Sequence, residues 1–205
     1  MKLRIALPAL LAFCLVALPA AAQTLYNNGP VNGTTDAWTI NFGFVVSDTF
    51  TLSSASTVNG LSFGIWMFPG DVLTGVELQI TSGEFGGTVY TDQIINLTES
   101  GCSGNQYGFN VCTATGTFNT PVNLAAGTYW LNLDNAVIPD DPVYWDENSG
   151  PSQASENSVG TIPSESFTIL GTTSSGTGTV PEPASIMLFG SGILGLAGVL
   201  RRKLL

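Results

Sequence analysis

Between Gln23 and Thr179 the chain contains no lysine, no arginine and no histidine, yet it carries 14 of the 15 acidic residues, all but Glu182. Such a segment cannot form one internal salt bridge. Its carboxylates must be solvated, hydrogen-bonded to backbone amides or bound to metal ions, and the expectation is that most are solvated, which keeps a strongly acidic protein dispersed in water. Helix-forming charged residues are almost absent, while Gly, Thr, Ser and Asn recur throughout. The composition therefore points to a single β-rich domain over residues 23–170.

Hydrophobic alternation supports this. Trp38, Ile40, Phe42 and Phe44; Phe50 and Leu52; Leu61, Phe63 and Ile65; Val76, Leu78 and Ile80; and Tyr129, Leu131 and Leu133 each place large side chains on one face of a predicted strand. Turn signals fall between them at Asn28-Gly-Pro, Asn59-Gly60, Pro69-Gly70-Asp71, Gly86-Gly87, Gly101, Gly104 and Pro139-Asp-Asp-Pro142. Short strands at this spacing predict an all-β domain, a two-sheet β-sandwich of jelly-roll or Greek-key type. The segment Leu124-Ala-Ala-Gly127-Thr-Tyr129 resembles a tyrosine corner, in which a Tyr hydroxyl bonds back to the backbone between sheets.

The two ends carry addresses. Lys2 and Arg4, the apolar stretch Ile5 to Leu18, Pro19 and then Ala20-Ala21-Ala22 read as a secretory signal peptide over residues 1–22, leaving a mature chain that starts at Gln23. Residues 171–180, rich in Gly, Ser and Thr, read as a flexible linker. Val180-Pro181-Glu182-Pro183 follows, and its prolines hold an extended, accessible peptide. The apolar run from Ala184 to Leu200 is predicted to be one transmembrane helix at the short end of what spans a bilayer. Arg201, Arg202 and Lys203 would anchor its end on the cytoplasmic side, placing the body outside.

These three parts, in this order over residues 180 to 203, resemble the PEP-CTERM sorting signal of Gram-negative bacteria. The resemblance implies recognition by a membrane-embedded exosortase in hosts that make exopolysaccharide. It also implies an inner-membrane precursor, processed and passed to the cell surface or extracellular matrix. The body, from Tyr26-Asn-Asn-Gly-Pro through Gly127-Thr-Tyr-Trp130 to Asp141–Gly150, is similar to secreted β-domains that precede such tails, a likeness that names no activity.

Several function classes can be weighed directly from residue types. A body without cations cannot neutralise phosphates, which excludes nucleic acid as a partner. Ser-His, Cys-His and His-ligated metal chemistry lack their residues. Only a carboxylate pair of the glycoside-hydrolase kind is conceivable, and the sequence selects none, so no catalytic residue is assigned. Cys14 departs with the signal peptide, and Cys102 and Cys112 are expected to pair in an oxidising compartment. The richest constellation is Asp140, Asp141, Trp145, Asp146 and Glu147. An exposed ring beside carboxylates suits sugar binding, and the four acids would supply oxygens to Ca²⁺, although their spacing matches no EF-hand. The competing reading makes Trp145 a core tryptophan, Asp140 and Asp141 a turn, and Asp146 and Glu147 the start of a solvated loop. Tails of this kind also occur on proteins labelled ice-binding, but such a face would need regularly repeated Thr positions and the body has no internal repeat. The function expected is therefore that of a non-enzymatic surface protein, with a carbohydrate-binding module as the alternative.

Overall fold

The computed structural model describes residues 22–174. Residues 1–21 of the signal peptide, the end of the linker, Val180–Pro183, the apolar stretch 184–200 and Arg201, Arg202 and Lys203 lie outside the described residues. Among the described residues there is no helix, and so none long and apolar enough to cross a membrane.

Thirteen strands follow in chain order: β1 Gln23–Asn27, β2 Ala37–Thr39, β3 Val46–Leu52, β4 Ser56–Met67, β5 Gly75–Gly83, β6 Gly86–Gly104, β7 Asn110–Leu124, β8 Gly127–Val137, β9 Tyr144–Asn148, β10 Ala154–Glu156, β11 Gly160–Ile162, β12 Ser164–Glu165 and β13 Phe167–Thr173. All pairings are antiparallel. The main order is β1-β13-β4-β7-β6-β5-β8-β3-β10-β11, with β9 joined to β4, β2 and β12 beside this path. The all-β expectation holds. What the turn spacing divides into two sheets is, however, joined in hydrogen bonding by the 19-residue β6, which pairs with β5 through Asn96 and with β7 from Leu97 onward. The single sheet curls over, and its first strand comes against β3, where the Tyr26 and Phe50 rings lie 6.2 Å apart.

The core fills the inside of this curl. Phe50, Leu61, Phe63, Ile65, Val76, Leu78, Ile80, Leu131 and Leu133 are all buried, as their alternation requires. Two T-shaped contacts, Phe63 with Trp145 and Trp145 with Phe167, tie β4, β9 and β13 together. Gly64 marks the place where β4 exchanges β13 for β9 as its neighbour. A Cβ there would overlap the Ser166 hydroxyl and approach Asp146 Cβ to 2.8 Å. The tyrosine corner is present: Tyr129 donates its hydroxyl to the Ala125 carbonyl at 3.0 Å.

Four features differ from the sequence expectation, the first being that Gly101 and Gly104, read as turn signals, lie within β6. The alternation beginning at Trp38 stops at Ile40. Phe42 takes φ 55° and is 64% exposed, and the Phe44 amide bonds to the Asn41 carbonyl in a turn. Asn59-Gly60 does not end a strand; it lies within β4 at a register shift against β7, so the chain accommodates the pair as a bulge. The domain also runs three residues beyond its predicted end, because Gly171, Thr172 and Thr173 complete β13 against Val58, Thr57 and Ser56.

Cys102 and Cys112 are bonded across the β6–β7 hairpin, with Cα atoms 4.1 Å apart. Removing the cross-link by replacing both with Ser should cost about 3 kcal/mol through the unfolded chain. Urea unfolding of the two forms would show a lower midpoint, with native strand content retained.

Candidate functional site

The structure separates the residues that the sequence groups together. Pro139 to Pro142 turn the chain, with Asp140 at φ 58° and the Asp141 carbonyl held by Asn41 Nδ2 at 2.9 Å. Trp145, Asp146 and Glu147 are successive residues of β9, so their side chains alternate between the two faces of the sheet. Trp145 points into the core, is fully buried, and donates Nε1 to the Ser166 carbonyl at 2.9 Å. It is no sugar-stacking ring. Asp146 points outward and Glu147 inward, so the two cannot share one ion. Nor are they in a solvated loop, since both are buried. Among the described residues Asp140, Asp141, Asp146 and Glu147 therefore do not converge as one set of ligands.

Burial of acids is the larger departure. Asp48, Asp146, Glu147, Glu156 and Glu165 are all buried. With no cation available, neutral donors serve them. Asp48 accepts from the Glu165 and Thr49 amides, Ser152 Oγ and Asn28 Nδ2. Asn28, itself fully buried, also donates to Ser164 Oγ and the Glu165 carbonyl. Burial nevertheless pushes Asp48 up to about 6, against the lowering effect of Ser152 and the two amides. Asp134 is likewise raised to about 6, first by burial and then by the charges of Glu77 and Asp92. Glu99 lies beside the disulfide, whose sulfurs are bonded to each other and offer no thiolate to a metal.

Asp146 organises an aromatic surface. Its Oδ1 accepts Trp66 Nε1 at 2.6 Å and the Gly33 amide at 2.8 Å, and its Oδ2 accepts the Asn32 amide at 2.9 Å. Trp66 is thereby fixed on the outer face of β4. Tyr107, in the β6–β7 hairpin, stacks on it with centroids 5.6 Å apart and planes 18° from parallel. Phe109 packs against Trp66, Phe68 and Tyr144. Tyr107 stays 52% exposed and Phe68 40% exposed. Beside them lies a cleft of about 510 Å³ between Val31–Thr34 and the disulfide-bonded hairpin, lined by Asn32, Thr34, Ser103, Asn105, Gln106 and Thr113 among others, with no charged side chain. Asn105 Nδ2 to the Gly33 carbonyl, 3.2 Å, and Tyr107 Oη to the Thr34 carbonyl, 3.1 Å, brace its two walls. Sequence reasoning missed this surface. The available signal was the Gln106-Tyr107 pair in a turn between two paired cysteines.

By fold the described chain is an all-β domain built on one curled antiparallel sheet, and its distinctive surface is an uncharged cleft beside stacked aromatics. The tail identifies it further: residues 179–203 match the PEP-CTERM protein-sorting motif, the signal read by exosortase in sorting proteins to the cell surface. No characterised protein matches the chain significantly.

Two outcomes follow. Trp145→Ala should destabilise the domain by about 3–5 kcal/mol, because it empties the junction of three strands, and this would appear as a large fall in the unfolding midpoint. For pH, Asp48 and Asp134 have folded values above their ordinary 3.8. The folded chain therefore holds more protons than the unfolded chain between about pH 4 and 6, and stability declines as pH rises through that window. A stability profile from pH 4 to 7 should fall with pH, and Asp48→Asn should remove up to about 3 kcal/mol of that fall.

Proposed function

We propose that this chain is a non-enzymatic cell-surface or extracellular-matrix protein. It is exported and held in the inner membrane by residues 184–200, with Arg201, Arg202 and Lys203 inside. Exosortase then processes it near Pro181–Pro183, and the body joins an exopolysaccharide-rich envelope. The observation that carries this reading is the sorting motif at residues 179–203. The body supports it by what it is made of: a domain without His, Lys or Arg, whose two cysteines are bonded to each other and whose buried acids are enclosed rather than paired across an open cleft. Mass spectrometry of the protein from the cell envelope should find a C-terminus upstream of the apolar run. A chain ending intact at Leu205 would refute the processing step.

A second reading makes the body a carbohydrate-recognition module, and the cleft beside Tyr107 favours it. Hydroxyl and amide side chains along its walls match sugar hydroxyls, an exposed ring stacked on Trp66 offers an apolar face to a pyranose, and the absence of charge suits a neutral sugar. On this reading Tyr107→Ala weakens binding to the host polysaccharide by roughly tenfold, beyond the modest fall in unfolding midpoint expected from losing its Trp66 stack and its bond to Thr34. Equal binding by the variant and the parent would dismiss the cleft.

A further inference from the structure

Glu165 stands directly opposite Glu147 in the β9–β12 pairing, so two carboxyl groups leave the same face of the sheet from adjacent strands. Like charges in this position repel most strongly. The face is the inner one, shared by Trp145 two residues before Glu147. Glu165 is fully buried and Glu147 nearly so. Glu147 receives Trp38 Nε1 on Oε2 at 3.1 Å. Glu165 receives nothing: neither Oε1 nor Oε2 has a hydrogen-bond partner. Asp48, reaching in from β3, approaches the same place, since its Oδ2 accepts the amide of Glu165 itself at 2.8 Å.

Ordinary remedies for a buried carboxyl are missing here. No lysine, arginine or histidine exists anywhere in residues 23–179 to neutralise it. Every other buried acid takes at least one N–H or O–H donor, as Asp48, Asp146, Glu147 and Glu156 do. Protonation would make Glu165 neutral, and burial followed by the charges of Asp48, Glu147, Asp146 and Asp36 does push it well above the ordinary carboxylate range. A neutral acid, however, still presents an O–H donor and an acceptor oxygen that need partners inside a protein. A hard cation satisfies both conditions at once: it neutralises the charge and takes the bare oxygens as ligands without any donor.

We propose that Glu165 and Glu147 bind a Ca²⁺ ion enclosed between β9 and β12. Asp48 adds its field from the facing half of the sheet. Among the described residues no third carboxylate lies at ligand spacing from this pair, so any ligands beyond the two glutamates would be neutral oxygens. Ca²⁺ accepts such mixed and irregular oxygen sets, whereas Mg²⁺ requires near-octahedral geometry and holds its waters. The site shares only Glu147 with the acids that the sequence singles out, and it makes the ion part of the folded domain rather than of its surface.

The test uses the purified full chain, with thermal unfolding and titration calorimetry in CaCl₂, in MgCl₂ and in chelator. Ca²⁺ should raise the unfolding midpoint and Mg²⁺ should do so less. Glu165→Gln should weaken Ca²⁺ binding by roughly tenfold or more while the variant still unfolds cooperatively in chelator. Glu147→Gln gives the same loss and serves if the first variant does not fold. The double variant Asp140→Asn, Asp141→Asn should respond to Ca²⁺ like the parent. A parent whose midpoint ignores Ca²⁺ overturns the proposal and leaves Glu165 a neutral acid. A Ca²⁺ response that survives in Glu165→Gln and Glu147→Gln also overturns it, because the ion then sits on exposed acids.

Discussion

The absence of any basic side chain inside the domain governs how the rest is held. A buried carboxylate normally leans on lysine or arginine; here the partners are asparagine and serine side chains, tryptophan indoles and backbone amides. These donors are short and directional, so each must be brought close by the chain path. Asp146 gathers the Val31–Thr34 loop and β4 around β9, and Asp48 ties β3 to the end of β12 and, through Asn28, to the residue that follows β1. Segments with little ladder pairing of their own, residues 28–36 and 149–153, are thus ordered by acids on neighbouring strands. Hydrogen bonds to a charged group are stronger than those between neutral groups, which is what allows a handful of them to replace ion pairs.

How much of this could be read from the sequence depends on whether the deciding partner is near or far along the chain. Strands β3, β4, β5 and β8 were legible because one buried face imposes period-two alternation. The Tyr129 corner and the Cys102–Cys112 pair were legible because their partners lie 4 and 10 residues away. Phe42 and Phe44 continued an alternation that the Asn41 turn interrupts, and the pattern alone cannot register the interruption. The candidate site failed for a different reason. The environment of Asp146 is set by amides 113 and 114 residues earlier, and that of Glu165 by a strand partner and by β3. Nothing local distinguishes these acids from Asp140 and Asp141, which only turn the chain.

The same alternation that misplaced the ligand face also explains where it went. Trp145 and Asp146 are adjacent in sequence and opposite in space, one completing the core and the other fixing Trp66 on the outside. The aromatic surface is therefore built at one remove: Asp146 holds Trp66, Trp66 carries Tyr107, and the Tyr107 hydroxyl bonds to the carbonyl of Thr34 in the cleft wall. The protein is in this sense two instructions in one chain, a tail that states a destination and an acidic body whose cleft is uncharged, polar and flanked by aromatics.

The position of β13 gives this division a mechanical meaning. It is the last strand before the tail, yet it is not an edge: β1 flanks it on one side and β4 on the other. A pull entering at Thr173 meets the β4 ladder first, at Thr173 and Thr172, and both ladders from Gly171 inward. An edge strand would peel away one hydrogen bond at a time; β13 has to slide past two neighbours together. A last strand placed in this way passes any pull on it to two ladders rather than one.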